Sequence, residues 1–274
     1  MKFLLHAIRD LDQGTIDVDE EIRRRILEAQ RKAYQSYPYP CIRAFHHVSS
    51  LMPEHDAFAH IMKSGQSGGE DGAPLILDIG CCMGTDLRYV AFWGYPCTSM
   101  IGCDVRREFI DFGHELYSDR DTCHIPFFVG DVFDLELCPF PQQADAAAPL
   151  LKEVSSLNEL RGRVKYIYAG ALFHLFDAGT QEAIARRLAT LLDVEKGSGR
   201  GVVFGRHSAQ VKEGMIDDAM GRVRYAHSPE SWERLWKCVV GDKRPVSVET
   251  VLHAHPGIST SRGTRMMWWS VWIG

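Results

Sequence analysis

The stretch Leu77-Asp78-Ile79-Gly80-Cys81-Cys82-Met83-Gly84-Thr85-Asp86 constrains the fold more than any other part of the chain. An apolar run (Leu75, Ile76, Leu77, Ile79) ends in a turn bounded by Gly80 and Gly84, and a helical pattern follows from about Thr85. Glycine lets the backbone turn sharply and approach a ligand closely, and the start of the helix directs unpaired N–H groups to the same point. A buried strand has no other reason to carry Asp78. The pattern predicts a cofactor-binding strand, loop and helix. A dinucleotide-binding turn would put its later glycines at 82 and 85, where this chain has Cys82 and Thr85, so a nicotinamide-dependent oxidoreductase is disfavoured.

Two later apolar segments end in the same way. Residues 100–105 close on Asp104 and Val105, the acid standing 20 residues beyond Gly84, and residues 126–133 carry Asp131 and Val132. An acid at the end of a second strand can accept hydrogen bonds from both ribose hydroxyls of an adenosine. Loops bearing Asp78, Asp104 and Asp131 would line one edge of a parallel sheet, where open α/β folds bind ligands. Taken singly, each acid reads also as a turn or cap residue. The adjacent thiols Cys81 and Cys82 read as small buried hydrophobes, because no Cys-x-x-Cys or Cys/His ligand set accompanies them, and no metal is expected.

The motif at 77–86, with the acids that follow it, resembles motif I and the strand ends of the class I S-adenosylmethionine (SAM) dependent methyltransferases, with Cys82 standing where the middle glycine falls. That resemblance, over roughly residues 74–207, implies SAM as cofactor, with Asp131 and Val132 reading the adenine amino group. A second resemblance narrows it. The entry Tyr37-Pro38-Tyr39-Pro40-Cys41-Ile42-Arg43, the loop at 77–86 and the stretch Ala171-Leu172-Phe173-His174-Leu175-Phe176 look like the small fungal methyltransferases of terpenoid and polyketide-terpenoid (meroterpenoid) gene clusters. These imply O-methylation of a small hydrophobic natural product, at a carboxylate or hydroxyl. Methylation of nitrogen or carbon in another small molecule, or a SAM-binding protein without transfer activity, stays open.

The remaining chain supplies the elements of such a fold. Residues 19–35 place Ile22, Ile26, Ala29 and Ala33 at helical spacing, and the prolines at 38 and 40 stop that helix. A second helix is expected over 53–63, and the Gly/Ser-rich 64–72 reads as a flexible boundary. The chain is therefore divided into an N-terminal helical extension, 1–72, and a SAM-binding core, 73–274. In the core we expect a helix within 150–160, a fourth strand at 164–169 ending on Ala169, and a helix over 180–194. A fifth strand at 201–206 and a helix over 229–240 capped by Ser228 follow, then an antiparallel hairpin from 246–253 and 265–273. The expected fold class is α/β, a Rossmann-like seven-stranded mostly parallel sheet with helices on both faces and the N-terminal extension as a lid. In the family, the seventh strand inserts between the fifth and sixth.

Site residues follow from these placements. Residues 37–47 are expected to fold across the cofactor as part of the lid, with Tyr37 and Arg43 meeting the methionine end of SAM, the arginine binding the SAM carboxylate; Tyr37, Tyr39 and Phe45 read equally as attaching the helix to the sheet. His174, after the fourth strand, would act as base for a hydroxyl or orient a carboxylate; it reads equally as a packing residue among Phe173, Leu175 and Phe176. Arg206 and His207, leaving the fifth strand, are substrate-binding candidates, with a surface ion pair as the rival reading for the arginine. Arg222, Arg224 and Tyr225 occupy a stretch where class I methyltransferases insert substrate-binding elements.

Composition bounds the partners. With 274 residues and 45% hydrophobic content the chain can bury a full core. A net charge of -5 argues against nucleic acid, and no apolar run approaches the ~20 residues needed to cross a bilayer. Eight cysteines without framework spacing suit a reducing cytoplasm. A homodimer is compatible with the sequence.

Overall fold

The computed structural model describes residues 18–145, 147–195, 199–216, 223–254 and 264–274. Arg222 and the loop joining the last two strands lie outside them. Seven strands form one sheet: β1 (Ile76–Ile79), β2 (Met100–Asp104), β3 (Phe127–Val129), β4 (Tyr166–Ala169), β5 (Gly201–Ala209), β8 (Val246–Ala254) and β9 (Arg265–Ile273). Their order is β3-β2-β1-β4-β5-β9-β8. The first five pair in parallel, and β9 is antiparallel to both β5 and β8. The last strand is thus inserted beside β5, as expected. A separate antiparallel pair, β6 (Gly214–Ile216) and β7 (Arg224–Ala226), follows β5.

Strands buried on both faces need two covering layers. On one side, Ile76, Tyr166, Val202 and Phe204 pack with Ile61 of α3 (Phe58–Gly72) and Leu87 and Val90 of α4 (Thr85–Phe92). On the other, Leu77, Ile101, Ile167 and Val203 meet Ile184 and Leu188 of α6 (Ala178–Leu191) and Trp232 and Trp236 of α7 (Pro229–Val240). The tryptophan pair, one helical turn apart, thus packs α7 onto the sheet. Ser228 caps α7, its Oγ accepting from Ser231 N at 3.2 Å. The N-terminal helix α1 (Val18–Ser36) and the short α2 (Pro40–Arg43) lay Ile22, Ala29, Ala33 and Ile42 against Phe109 and Leu116 of α5 (Arg107–Tyr117), with Met83 of the glycine loop in the same cluster.

Two sequence expectations are corrected. Residues 64–72 are helical, the continuation of α3. Glycine there serves packing: a Cβ on Gly65 would lie 2.2 Å from the Tyr95 ring. Residues 150–160 form two single 3-10 turns, Leu151–Glu153 and Leu157–Leu160, in place of a continuous helix.

Candidate functional site

The loop between β1 and α4 is held in left-handed conformation at three alternating positions, Gly80 (φ 77°), Cys82 (φ 52°) and Gly84 (φ 66°). The middle one explains why glycine suits this position, since a residue with a Cβ bears a cost of roughly 1–2 kcal/mol there. Gly80 faces open space, with no atom within 4 Å of a built Cβ, whereas one on Gly84 would strike Phe127 and Arg88. Beneath the loop, the N–H groups of Gly80 and Cys81 donate to the Cys103 carbonyl at 2.8 and 3.1 Å. Arg88 of α4 donates to the carbonyls of Met83 (2.7 Å) and Gly84 (3.3 Å), and its Nε meets Asp119 at 2.6 Å.

The three acids stand at the carboxyl ends of β1, β2 and β3. Asp104 accepts Cys82 N on Oδ2 at 2.8 Å and Arg106 N on Oδ1 at 2.9 Å, tying the loop to the end of β2. Burial pushes its pKa up, and those two backbone donors oppose the rise. Val105, next in the chain, is 54% exposed beside it. Asp131 caps the 3-10 turn Val132–Asp134, its Oδ1 accepting Phe133 N at 2.9 Å, and the Val132 side chain is buried. Asp78 is buried within β1, and the loss of solvent drives its pKa well up.

The N-terminal segment reaches this edge from above. Ile42, Tyr37, Tyr39 and Cys41 cluster with Cys82 and Met83. Tyr37 packs at a tilt against Tyr39, centroids 4.3 Å apart, and its ring lies 3.9 Å from the guanidinium carbon of Arg106. Arg43 is exposed at the end of α2, its carbonyl accepting from Gln30 at 3.1 Å. A second anchor is Asp86, in the first turn of α4, whose Oδ1 accepts the N–H groups of Leu51 and Met52 at 2.7 and 2.8 Å. Burial raises its pKa to about 6.

At the other end of the edge, Ala169 closes β4 fully buried, paired in register with Gly205, and His174 sits half-buried on the 3-10 turn Phe173–Leu175. Arg206 and His207 part company. Neighbours along a strand point to opposite faces, and His207 lies in the aromatic core between Trp232 (4.6 Å) and Trp269 (5.6 Å), 1% exposed. Its Nδ1 accepts the Trp269 indole N–H at 2.9 Å, and burial keeps it neutral by pushing its pKa far down. The structure thus packs His207 within the aromatic core, with Nε2 buried and unpartnered. Arg206 is 5% exposed on the opposite face, 5.6 Å from the Trp268 ring, which disposes of the surface ion pair.

Sequence reasoning passed over Arg106, Arg88, Asp86 and Tyr168. Asp86 and Arg106 adjoin the motifs and could have been found as charges beside glycines or strand ends. Tyr168 shares the Asp78 face through the β1–β4 register, which no local signal supplies. Arg88 had no local signal, because Asp119 is 31 residues away.

The strand order with β9 inserted, the left-handed glycine loop and the acids along the carboxyl edge define a class I, Rossmann-like methyltransferase. The same fold is seen in the N-terminal domain of EvdMO1 with SAH bound (TM-score 0.50, 13% identity, covering 95% of this chain and 98% of that one). It is seen too in the plantazolicin methyltransferase BamL in complex with a triazolic desmethylPZN analog and SAH (TM-score 0.50, 12% identity, covering 94% and 99%). Residues 12–48 match the family model described as meroterpenoid methyltransferase N-terminal domain. The chain is 31% identical over 225 residues to the O-methyltransferase phiE of Fungal sp. (strain ATCC 74256), covering 81% of this chain and 67% of that protein. It is 26% identical over 227 residues to the Asnovolin E/Chermesin D methyltransferase nvfJ of Aspergillus novofumigatus (strain IBT 16806), covering 80% and 72%. The chain belongs to this family of fungal secondary-metabolite methyltransferases. Among the described residues no helix is long and apolar enough to cross a membrane.

Proposed function

We propose that the chain transfers the methyl group of SAM to an oxygen, carboxylate or hydroxyl, of a small hydrophobic terpenoid or polyketide-terpenoid. The carrying observation is the glycine loop: its backbone leaves open space over Gly80, while Asp104 clamps its far side at the end of β2. The residues fit the cofactor. Each Asp104 oxygen has taken one backbone N–H and keeps acceptor capacity for a ribose hydroxyl. The exposed Val105 side chain offers an apolar surface to adenine, and Asp131 keeps Oδ2 for an amino group beside Val132. Gly80, Gly84 and Asp78 would face the methionine half, bounded by Ala169, with Tyr37 and Arg43 above it.

When bound, SAM supplies a methyl group on a cationic sulfonium, so the protein's task is to hold the acceptor in line and exclude water. Such orientation supplies up to roughly 7–11 kcal/mol. The lid segment at 37–57, pinned through Asp86 and Arg106, provides the exclusion. A carboxylate acceptor is ionised at neutral pH and needs no base; a hydroxyl would call on His174, at the exit of β4. The phiE name and the resemblance to meroterpenoid methyltransferases support oxygen as the acceptor. Calorimetric titration of SAM and SAH into wild type and Asp104→Ala tests the reading: submillimolar binding, lost at least tenfold in the variant, is expected, and a wild type that binds neither would refute it.

A further inference from the structure

Asp78, Tyr168 and Arg206 lie on one face of adjacent strands. The register sets Asp78 beside Tyr168 and Tyr168 beside Phe204, so Arg206, two residues on, stands at the carboxyl edge level with Gly80 and Gly170. Tyr168 is 2% and Arg206 5% exposed. The Tyr168 hydroxyl and Arg206 Nε are buried without a hydrogen-bond partner, and Arg206 has no ion pair among the described residues. Its guanidinium lies 5.6 Å from the centre of the Trp268 ring. Arg206 also draws down the pKa values of Asp86 and Tyr168, both raised by burial, so the three groups share one low-dielectric space.

A buried guanidinium with no carboxylate in ion-pair contact among the described residues and a buried phenol with no acceptor both destabilise a fold. Two such groups converging on the edge where the substrate must enter point to a ligand. Both can donate, and the ligand must therefore accept and carry negative charge. Asp78 and Asp86, nearby, disfavour a dianion such as phosphate. We propose that Arg206 and Tyr168 form a receptor for a single carboxylate, the guanidinium pairing with it and the phenol donating one hydrogen bond. This rests on the cofactor reading above, which brings two carboxylates to this edge: that of the methionine half of SAM and that of an acidic substrate.

The test uses the full chain as wild type, Arg206→Met and Tyr168→Phe, titrated by calorimetry with SAH, with decarboxylated SAH, and with farnesoate against farnesol. Arg206→Met is expected to weaken one carboxylate ligand at least tenfold, and Tyr168→Phe severalfold, with the uncharged counterparts unaffected. A loss confined to SAH assigns the receptor to the cofactor, and one confined to farnesoate assigns it to the substrate. The melting temperature of ligand-free Arg206→Met should hold or rise, since an uncompensated charge has gone. A falling melting temperature with equal losses for charged and uncharged ligands would mean a structural arginine and overturn the proposal. Unchanged SAH affinity with no Arg206-dependent farnesoate binding overturns it too. Should wild type bind no SAH, the cofactor reading fails by itself; Arg206-dependent farnesoate binding would still uphold the receptor, and its absence would sink both.

Discussion

Arg88 and Arg206 are almost equally buried, 7% and 5% exposed, yet their surroundings are opposite. Arg88 directs its donors inside the protein, to Asp119 and the carbonyls of Met83 and Gly84, and its guanidinium lies close to the rings of Tyr117 and Phe127. Arg206 has an aromatic neighbour and, among the described residues, no carboxylate in ion-pair contact. The contrast teaches where each belongs: a saturated arginine fixes the shape of the loop, and an unsaturated one of equal burial is kept for something that arrives.

The strongest way to break this comparison is through Asp119. Asp119→Ala should cost about 3–5 kcal/mol by leaving Arg88 buried and uncompensated, as read by denaturant melts. If it costs no more than Arg206→Met, the two arginines do not differ. Burial works to raise the Asp119 pKa, but hydrogen bonds from His114 and Arg88 outweigh it and hold it at about 2. The folded value lies below the unfolded value of roughly 3.9, so the stabilisation is complete above that pH and is lost as pH falls toward 2. Acid titration of stability should flatten over that window in Asp119→Asn.

His207 sharpens the comparison from the other face of β5. His207→Leu should cost about 1–3 kcal/mol by stranding the Trp269 N–H, with SAH and acid binding intact in the folded protein. A selective loss of acid binding would return His207 to the substrate site. The smallest expected effect is at the loop that Arg88 holds. Cys82→Gly should return about 1 kcal/mol by relieving the left-handed backbone, visible as a raised melting temperature.

Much of this architecture is legible in the sequence. The glycines at 80 and 84, the acid-ended apolar runs and the Ser228-Pro229 signal each state a local rule, and strand order follows from the family those rules resemble. What failed was non-local or misweighted. Residues 64–72 looked like a linker because glycine is a poor helix former, but tertiary packing of Gly65 on Tyr95 overrode propensity. Arg206 and His207 were read together although period two sends them to opposite faces, and the buried His207 is explained only by Trp269, brought beside it by β9. The Arg88–Asp119 pair had to await the fold.

The insertion of β9 between β5 and β8 also sets an order in time. As the chain is synthesised, the glycine loop, Asp104 and the first five strands emerge in sequence and can find one another. The free side of β5, the Trp268 ring beside Arg206 and the Trp269 donor to His207 all wait for residues 265–273. The half of the edge that would hold the adenosine is thus encoded first, and the half that would choose an acceptor is complete only once residues 265–273 pair with β5.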